Sequence, residues 1–254
     1  MKALKIIKAD YLQYYIDNQK VDINKRFNEL TLGVNDDDFY FAKAAVFSSQ
    51  IEGNTIDFDS YLKYFHSGMN NDGKQFNEIE DLKAAYKFAS KSELTYNTFL
   101  TSHEILSKNV IKLKKYRGKL RKDKVGIISN GKLEYMAVEP EFVKQEITKL
   151  FSDIKELLSR DLSHSEIFYY ASMIHLMFEK IHPFVDGNGR AGRLLEKWFI
   201  KEKIGLKSWL IQSEQYYFQN RNDYYRYLSI GFDYYSLKME KCIYFLLMLP
   251  MSIK

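Results

Sequence analysis

Twelve consecutive residues at positions 182–193, HPFVDGNGRAGR, carry groups that can bind and transfer a phosphate-containing molecule. Gly187 and Gly189 flank Asn188 immediately before a predicted helix. Glycine permits positive φ and close backbone approach, and the first N–H groups of a helix have no partner inside the helix. Such a turn, followed by a helix N-terminus, predicts a cradle for an anion.

Charged side chains surround this predicted cradle. Arg190 and Arg193 lie three residues apart at the start of the helix, where cations oppose the helix dipole and an anionic ligand would explain them. Asp186 is a hard oxygen ligand that suits Mg²⁺ together with phosphates and water. His182 is a candidate general base near neutral pH. The set predicts transfer of a phosphate-containing group to a nucleophile, with a glycine-rich turn bearing surface arginines as the alternative.

The same stretch resembles the motif of the Fic family at every specified position. That motif is His, any residue, Phe, any residue, Asp or Glu, Gly-Asn-Gly-Arg, two residues of any kind, and Arg. The upstream HLMFEKIHPF and the later QNRNDYYRYL, residues 219–228, are also similar to Fic domains. The resemblance covers about residues 40–235. It implies an all-α protein, a Fic-type helical bundle with one β-hairpin flap over the active-site loop.

Most Fic domains are adenylyltransferases, so the resemblance implies Mg²⁺-dependent transfer of AMP from ATP to a Ser, Thr or Tyr hydroxyl of a protein, with release of pyrophosphate. In that reading His182 is the base, Phe184 anchors the loop in the core and Asp186 holds Mg²⁺. Removal of AMP from a modified protein and transfer of another phosphate-containing group remain alternatives. A catalytically silent nucleotide- or partner-binding module is an alternative of a different class.

The resemblance also assigns the nucleotide contacts. Gly187, Asn188 and Gly189 would form the anion hole and Arg190 would assist the phosphates. Arg193 would hold the γ-phosphate and thereby orient the α-phosphorus toward the incoming oxygen.

A hairpin is expected between the two helical parts of the chain, since Asn130-Gly131 separates two short apolar runs. The resemblance makes this hairpin the flap, about residues 118–138, which docks an extended segment of the target protein by main-chain pairing. The residues expected to dock the target are Val125, Gly126, Ile127 and Ile128.

The nucleobase position is marked by Tyr224 and Tyr225, which resemble the aromatic pair that borders the adenine pocket in the family. Relatives often carry Asn seven residues after that pair, whereas this chain has Phe232. The base preference is therefore open.

An inhibitory segment is expected in SSQIEGN, residues 48–54, where Glu52 lies at the predicted C-terminus of a helix and opposes the helix dipole. Ser48, Glu52 and Gly53 match the Fic inhibitory motif of Ser or Thr, three residues, Glu, and Gly or Asn. By this resemblance Glu52 pairs with Arg193, occupies the γ-phosphate position and inhibits the enzyme.

The periodicity of apolar residues predicts a mainly helical chain. A helical region over 1–60 carries the inhibitory helix, about 39–53, and 61–254 forms the catalytic core, the two making one compact unit. Ser163 and Glu166 form a capping box before a buried central helix. The last two helices are predicted over about 213–229 and 232–249.

Composition restricts the function further. The net charge is +5, Lys is dispersed along the 254 residues and the chain has a single cysteine, Cys242. These features favour a cytoplasmic protein with no disulfide, no nucleic-acid partner and no membrane segment. The expected partner is a protein with an acceptor hydroxyl, and self-modification and a homodimer are further possibilities. His175, Glu179 and His182 share a helical face, but a zinc site there lacks a fourth ligand.

Overall fold

A computed structural model describes residues 3–31, 37–67, 73–129 and 131–253. The described chain is mainly helical, with one two-stranded hairpin, and apolar side chains from all of its helical regions join one core. The helices are α1 Leu12–Asp17, α2 Ile23–Glu29, α3 Asp37–Ile51, α4 Phe58–Ser67, α5 Lys74–Lys91, α6 Tyr96–Leu106, α7 Pro140–Leu158, α8 His164–Ile181, α9 Asn188–Ile204, α10 Ser213–Gln219, α11 Arg221–Leu228 and α12 Cys242–Leu246.

Helices α8 and α9 form the centre of the bundle and pack against each other more extensively than any other pair of described elements. The Ser163 side chain accepts from the Glu166 N–H, and Glu166 binds the Ser163 N–H in return, so the predicted capping box begins α8. Every residue of α8 from Ile167 to Ile181 is buried. The loop that begins at His182 thus follows the most deeply buried helix.

Helix α3 leads to the expected inhibitory segment. It packs against α5 and α10 and also touches α9. Gly53 follows the helix with φ +95°, and the Asn54 N–H donates to the Ser49 carbonyl at 3.1 Å. This left-handed exit satisfies carbonyls at the helix end and places Glu52 immediately beyond the last turn of α3.

The hairpin consists of β1, Gly126–Ser129, and β2, Lys132–Met136. Gly131 has φ +73°, as the predicted turn requires, while Asn130 lies outside the described residues. The pairing shifts register between Ile127 and Ile128, which is a bulge in the ladder. On its other side β2 meets a single parallel bridge from Met136 to Asp233.

The C-terminal part of the chain departs from the predicted helices. The helix predicted over 213–229 is divided into α10 and α11 at Asn220. The helix predicted over 232–249 is wrong for most of its length, since only Cys242–Leu246 is α-helical and residues near 233 pair with β2 instead. Local periodicity could not reveal this bridge, because its partner strand is about a hundred residues earlier in the chain.

None of the helices in the described part of the chain is long and apolar enough to cross a membrane. The core contains residues from both sides of the boundary predicted at residue 60, including Ala45 and Val46 of α3. The division into 1–60 and 61–254 stays a prediction.

Candidate active site

His182 terminates α8 in a left-handed conformation, with φ 49° and ψ 61°. Its N–H donates to the Phe178 carbonyl, so the backbone completes the helix and then turns sharply. Its Nδ1 is buried, whereas 17% of the side chain remains exposed. Burial lowers the pKa of His182 to about 4, so the imidazole is neutral at pH 7.

The loop after His182 is held by Asn188, whose side chain bonds both backbone groups of Phe184. The Phe184 N–H donates to Asn188 Oδ1 at 2.9 Å, and Asn188 Nδ2 donates to the Phe184 carbonyl at 3.0 Å. Phe184 itself is fully buried. The Asn188 side chain therefore shapes the loop, and only its backbone N–H remains for the predicted anion hole.

Gly187 makes the turn into α9 with φ +79°. A Cβ at this position would also lie 3.2 Å from Leu106 and 3.3 Å from His103, so both the conformation and the space require glycine. Asp186 is exposed beside the turn, with Oδ1 accepting from the Gly187 N–H. The cradle predicted from the sequence is therefore present as backbone geometry, with one exposed carboxylate next to it.

Arg193 lies beneath the cradle, fully buried, and most of its donors point to the end of α3. Its Nε donates to Ser48 Oγ at 2.8 Å, and Nη2 donates to the Ser48 carbonyl at 3.0 Å. Nη2 also donates to Glu52 Oε1 at 2.7 Å, which forms an ion pair. Nη1 donates to the hydroxyl of Tyr224 at 3.1 Å.

Glu52 occupies the cradle itself. A Cβ built on Gly189 would overlap Glu52 Oε1 and lie 3.0 Å from its carboxyl carbon, so the carboxylate rests directly on the first turn of α9. Burial raises the pKa of Glu52, but the charge and hydrogen bond of Arg193, together with Arg190 and His182, lower it, and the pKa lies below its usual value. The carboxylate is thus an anion at the helix N-terminus, as the dipole favours.

Arg190 points away from Arg193 toward α5. Its Nη2 lies 3.2 Å from Glu78 Oε2, a carboxylate that also pairs with Lys74 at 3.5 Å. Its Nε is buried without a hydrogen-bond partner among the described residues. Arg190 is therefore paired with Glu78 through Nη2 and keeps one donor, Nε, without a partner in the described part of the chain.

The two tyrosines expected at the nucleobase have different positions. Tyr224 is only 1% exposed and its hydroxyl is bonded to Arg193 and His175, so it lies below the site and not on its exposed rim. Tyr225 is on the surface, and its hydroxyl donates to the Ile51 carbonyl at the end of α3. The expectation for Tyr224 as a rim residue is corrected by its burial.

Arg121 connects the flap to the active-site loop, a role that the sequence analysis missed. The guanidinium is almost fully buried and donates to the carbonyls of His182 at 2.7 Å, Asp123 at 2.8 Å and Val138 at 2.5 Å. Its own N–H donates to the Pro183 carbonyl. Since every one of these acceptors is backbone, no motif of side-chain types could have revealed the contact.

His103 of α6 makes a second connection that the sequence analysis missed. Its Nδ1 accepts from the Gly118 N–H at 3.0 Å, so Nε2 carries the proton and donates to the Asp186 carbonyl, also at 3.0 Å. The ring stacks on Phe184 at a centroid distance of 3.5 Å. Burial lowers the pKa of His103 to about 4, which keeps this tautomer neutral.

The flap lies beside the loop that follows α8, and the outer edge of its strand β1 is open. Among the described residues β1 pairs only with β2, which leaves its outer edge free. Val125 and Ile127 are half-buried, Gly126 is exposed and Ile128 is 69% exposed. A second polypeptide in extended form could therefore add to β1.

The positions of His175, Glu179 and His182 do not support the alternative of a zinc site. Both ring nitrogens of His175 are engaged within the core, Nδ1 with Glu196 Oε2 at 2.9 Å and Nε2 with the Tyr224 hydroxyl at 3.1 Å. No group of three or more His, Cys, Asp and Glu suited to a metal ion occurs in the part of the chain that the structure describes.

The loop geometry agrees with a family assignment. Residues 93–200 match the model of the Fic/DOC family, and this range contains α6, the flap, α8 and the first turns of α9 with every loop residue described above. The chain contains a Fic domain. Within it, the motif of the sequence coincides with the loop that joins the two central helices.

Curated relatives carry the same domain in longer chains. The chain is similar to the protein adenylyltransferase Fic of Aedes aegypti, with 30% identity over 192 residues, and to that of Culex quinquefasciatus, with 29% over 192 residues. Each alignment covers 71% of this chain and 35% of the relative. The chain thus spans about a third of the length of these relatives.

Solved structures share the fold. A Fic family protein from Desulfovibrio desulfuricans G20 superposes with a TM-score of 0.74 at 20% identity, over all of this chain and 74% of the other. Fic-1 from C. elegans superposes with a TM-score of 0.64 at 20% identity, over 94% of this chain and 67% of the other. The similarity to Fic structures therefore extends beyond residues 93–200 to α3, which carries Ser48 and ends just before Glu52.

Proposed function

We propose that the protein transfers AMP from ATP to a Ser, Thr or Tyr hydroxyl of a protein, and that Glu52 inhibits this transfer. The observation that carries the proposal is the anion site at the start of α9, where Glu52 already binds as an anion between Gly189 and Arg193. A site that holds one carboxylate at a helix N-terminus has the charge and the donors to hold a phosphate. Because the relatives are named adenylyltransferases, the phosphates that we expect at this site are those of ATP.

His182 would accept the proton of the target hydroxyl. Because Nδ1 is buried, Nε2 is the atom that can reach a substrate, and the neutral ring at pH 7 has a free lone pair there. The hydroxyl oxygen would attack the α-phosphorus as its proton moves to Nε2, and the bond to the bridging oxygen of pyrophosphate would break.

The N-terminus of α9 and Arg193 would bind the phosphates. The backbone N–H groups of Asn188, Gly189 and Arg190 have no acceptor within the helix, since they belong to its first turn. Arg193 would hold the γ-phosphate once Glu52 has left, because its Nη2 is now bonded to that carboxylate. The three phosphates would then be fixed at one end, which directs the α-phosphorus toward His182.

Mg²⁺ fits the donor set next to the cradle. Asp186 offers one exposed carboxylate, and Mg²⁺ is usually held by one or two carboxylates together with substrate phosphates and water. When bound, the ion would neutralise negative charge on the phosphates. The chain itself holds the backbone of Asp186 through the hydrogen bond from His103 Nε2 to the Asp186 carbonyl. This bond restricts the position from which the Asp186 side chain extends.

The target protein would dock on the flap. The free edge of β1 offers main-chain groups to an extended segment, and Arg121 fixes both ends of the flap relative to His182. Recognition of this kind depends chiefly on backbone, so proteins with an accessible extended segment, including a second copy of this chain, are the expected targets.

The experiment is incorporation of label from α-labelled ATP into protein. The Glu52→Gly variant, incubated with Mg²⁺ and a cell lysate, should label proteins with a mass increase of AMP, and Glu52→Gly with His182→Ala should label none. A parallel series with the other nucleoside triphosphates reads the base preference. Absence of any protein-bound label from the Glu52→Gly variant would refute the transferase proposal.

Removal of AMP is a second candidate, favoured by the partial exposure of Glu52. About a third of its side chain surface, 31%, remains accessible despite the ion pair, so the carboxylate could also orient a water. A target already modified with AMP distinguishes the two: wild type would release AMP and Glu52→Gly would not.

A further inference from the structure

Two buried polar atoms near the end of α8 lack a hydrogen bond. Glu179 Oε1 and His182 Nδ1 are both buried and lack a partner among the described residues. Glu179 is 8% exposed, and its other oxygen, Oε2, lies 3.7 Å from His182 Nδ1. Buried carboxylate oxygens and imidazole nitrogens are normally bonded, because an unpaired one keeps its full desolvation cost.

Space for this carboxylate is provided by α9. A Cβ at Gly192 would lie 2.6 Å from Glu179 Oε1 and 3.0 Å from the His175 ring, so only glycine leaves room for the carboxyl group between the two helices. The other charged groups that face Glu179 are His175 and Lys180 on α8, Arg193 on α9 and Glu52 beyond α3.

We propose that Glu179 is a positioning residue for the base, accepting a hydrogen bond from His182 Nδ1–H so that Nε2 faces the target hydroxyl without a proton. The proposal rests on the transferase function above. A shift of about 1 Å brings Oε2 from 3.7 Å to the usual length of such a bond. During transfer the hydroxyl proton goes to Nε2, and Nδ1–H stays bonded to Glu179, whose charge stabilises the imidazolium.

Histidine alone is a weak base in this position. Burial lowers the pKa of His182 to about 4, although the backbone carbonyl of Glu179 raises it. Burial also raises the pKa of Glu179, while His175 and Arg193 lower it. A carboxylate bonded to Nδ1 raises the pKa of an imidazole and so improves its capacity to accept a proton near pH 7.

The first test is the NMR titration of His182, which requires no enzymatic activity. The chain has five histidines, so the ring signals can be assigned by substitution. In the wild type we expect the tautomer protonated on Nδ1. Glu179→Gln removes the charge and should lower the pKa of His182 by about 1. Glu179→Met removes the acceptor as well and should also abolish the tautomer preference.

Glu196→Gln is the matched control, since Glu196 is equally buried and bonded to His175, away from His182. It should alter the His175 signals and leave the pKa of His182 unchanged. If the backbone carbonyl of Glu179 alone orients the ring, Glu179→Gln and Glu179→Met leave both pKa and tautomer of His182 as in wild type. That result overturns the positioning role, whatever the enzyme's activity.

The second test reads the rate in the Glu52→Gly background. Glu179→Gln should lower kcat about 10- to 100-fold, less than loss of the base itself, with little change in KM for ATP. Its rate should also rise with pH at a lower pH than that of the parent, following the lower pKa. If Glu52→Gly itself transfers nothing, the transferase proposal fails and the titration still decides the role of Glu179. An unchanged kcat and pH profile would contradict the positioning role.

Discussion

Glu52 Oε1 lies 2.7 Å from Arg193 Nη2, and the same carboxylate rests on Gly189 at the start of α9. One anion therefore uses both the guanidinium and the helix N-terminus, the two groups that a triphosphate would need. Competition for these donors is a direct physical route from an ion pair to inhibition.

Removal of the carboxylate should activate transfer. We expect Glu52→Gly to raise the rate of AMP incorporation about 10- to 100-fold, since a charge-assisted hydrogen bond contributes about 1.5–3 kcal/mol and each 1.4 kcal/mol is tenfold. Glu52→Gln keeps an acceptor for Arg193 but no charge, so its rate of AMP incorporation should lie between those of wild type and Glu52→Gly. Glu141→Gln is the control, because Glu141 is exposed on the first turn of α7. Equal rates for wild type and Glu52→Gly would exclude inhibition by Glu52.

Glu52→Gly should be less stable than wild type, and ATP should raise its Tm by more. Without Glu52, the fully buried Arg193 loses its counter-charge, which we expect to lower the free energy of unfolding by about 2 kcal/mol. ATP would supply the missing anion and stabilise the folded state in proportion to its binding. Thermal unfolding with and without Mg-ATP checks this. A larger ATP-induced Tm shift in wild type than in Glu52→Gly would contradict the competition.

The sequence predicts those parts of the site that depend on residues close together in the chain. The turn at Gly187 and the start of α9 follow from residue types within a dozen positions, and the left-handed exit at Gly53 follows from the end of α3. The position of Glu52 against Arg193 matches the expectation from the Fic inhibitory motif.

Other parts could not be predicted, since they depend on backbone groups that are distant in sequence. Arg121 lies in a lysine-rich stretch that resembles a solvated surface, yet two of its acceptors are the carbonyls of Ile181 and His182, about sixty residues later. Tyr224 and Tyr225 resemble the aromatic pair that borders the adenine pocket in the family, yet only Tyr225 is exposed. On a helix, adjacent residues face different directions, and only packing decides which one is buried.

Loss of Arg121 should uncouple the flap from the loop. In Arg121→Met the carbonyls of His182, Asp123 and Val138 lose their donor, so we expect the free energy of unfolding to fall by about 3 kcal/mol. Hydrogen exchange of the flap amides should accelerate as well. The exposed Lys122→Met is the matched control. Unchanged exchange across the flap in Arg121→Met would show that the strands are held by other contacts.

Acid should destabilise the protein through its buried neutral histidines. The pKa of His103 is about 4 in the folded state against an ordinary value of 6.5. The unfolded chain therefore binds the proton first, and the stabilisation is complete above pH 6.5 and is lost as the pH falls toward 4. From His103 alone the free energy of unfolding should be about 2 kcal/mol lower at pH 5 than at pH 7. Urea unfolding at both pH values measures the difference.

His103→Gln separates this contribution from the others. Glutamine can accept from the Gly118 N–H or donate to the Asp186 carbonyl but does not titrate, so the difference between pH 7 and pH 5 should shrink by about 2 kcal/mol. His182, whose pKa is also about 4, should supply much of what remains. A pH dependence identical to that of wild type would mean that the pKa of His103 is the same in the folded and unfolded protein.

A methyl group at Gly189 should test the shared anion site directly. In Gly189→Ala the new Cβ would overlap Glu52 Oε1, so the carboxylate must move away from Arg193. The same methyl group would also stand where a phosphate should bind, and therefore we expect weaker ATP binding and transfer that stays low even when combined with Glu52→Gly. Calorimetric binding of Mg-ATP to the double variant gives the answer, and affinity equal to that of Glu52→Gly would place the phosphates elsewhere.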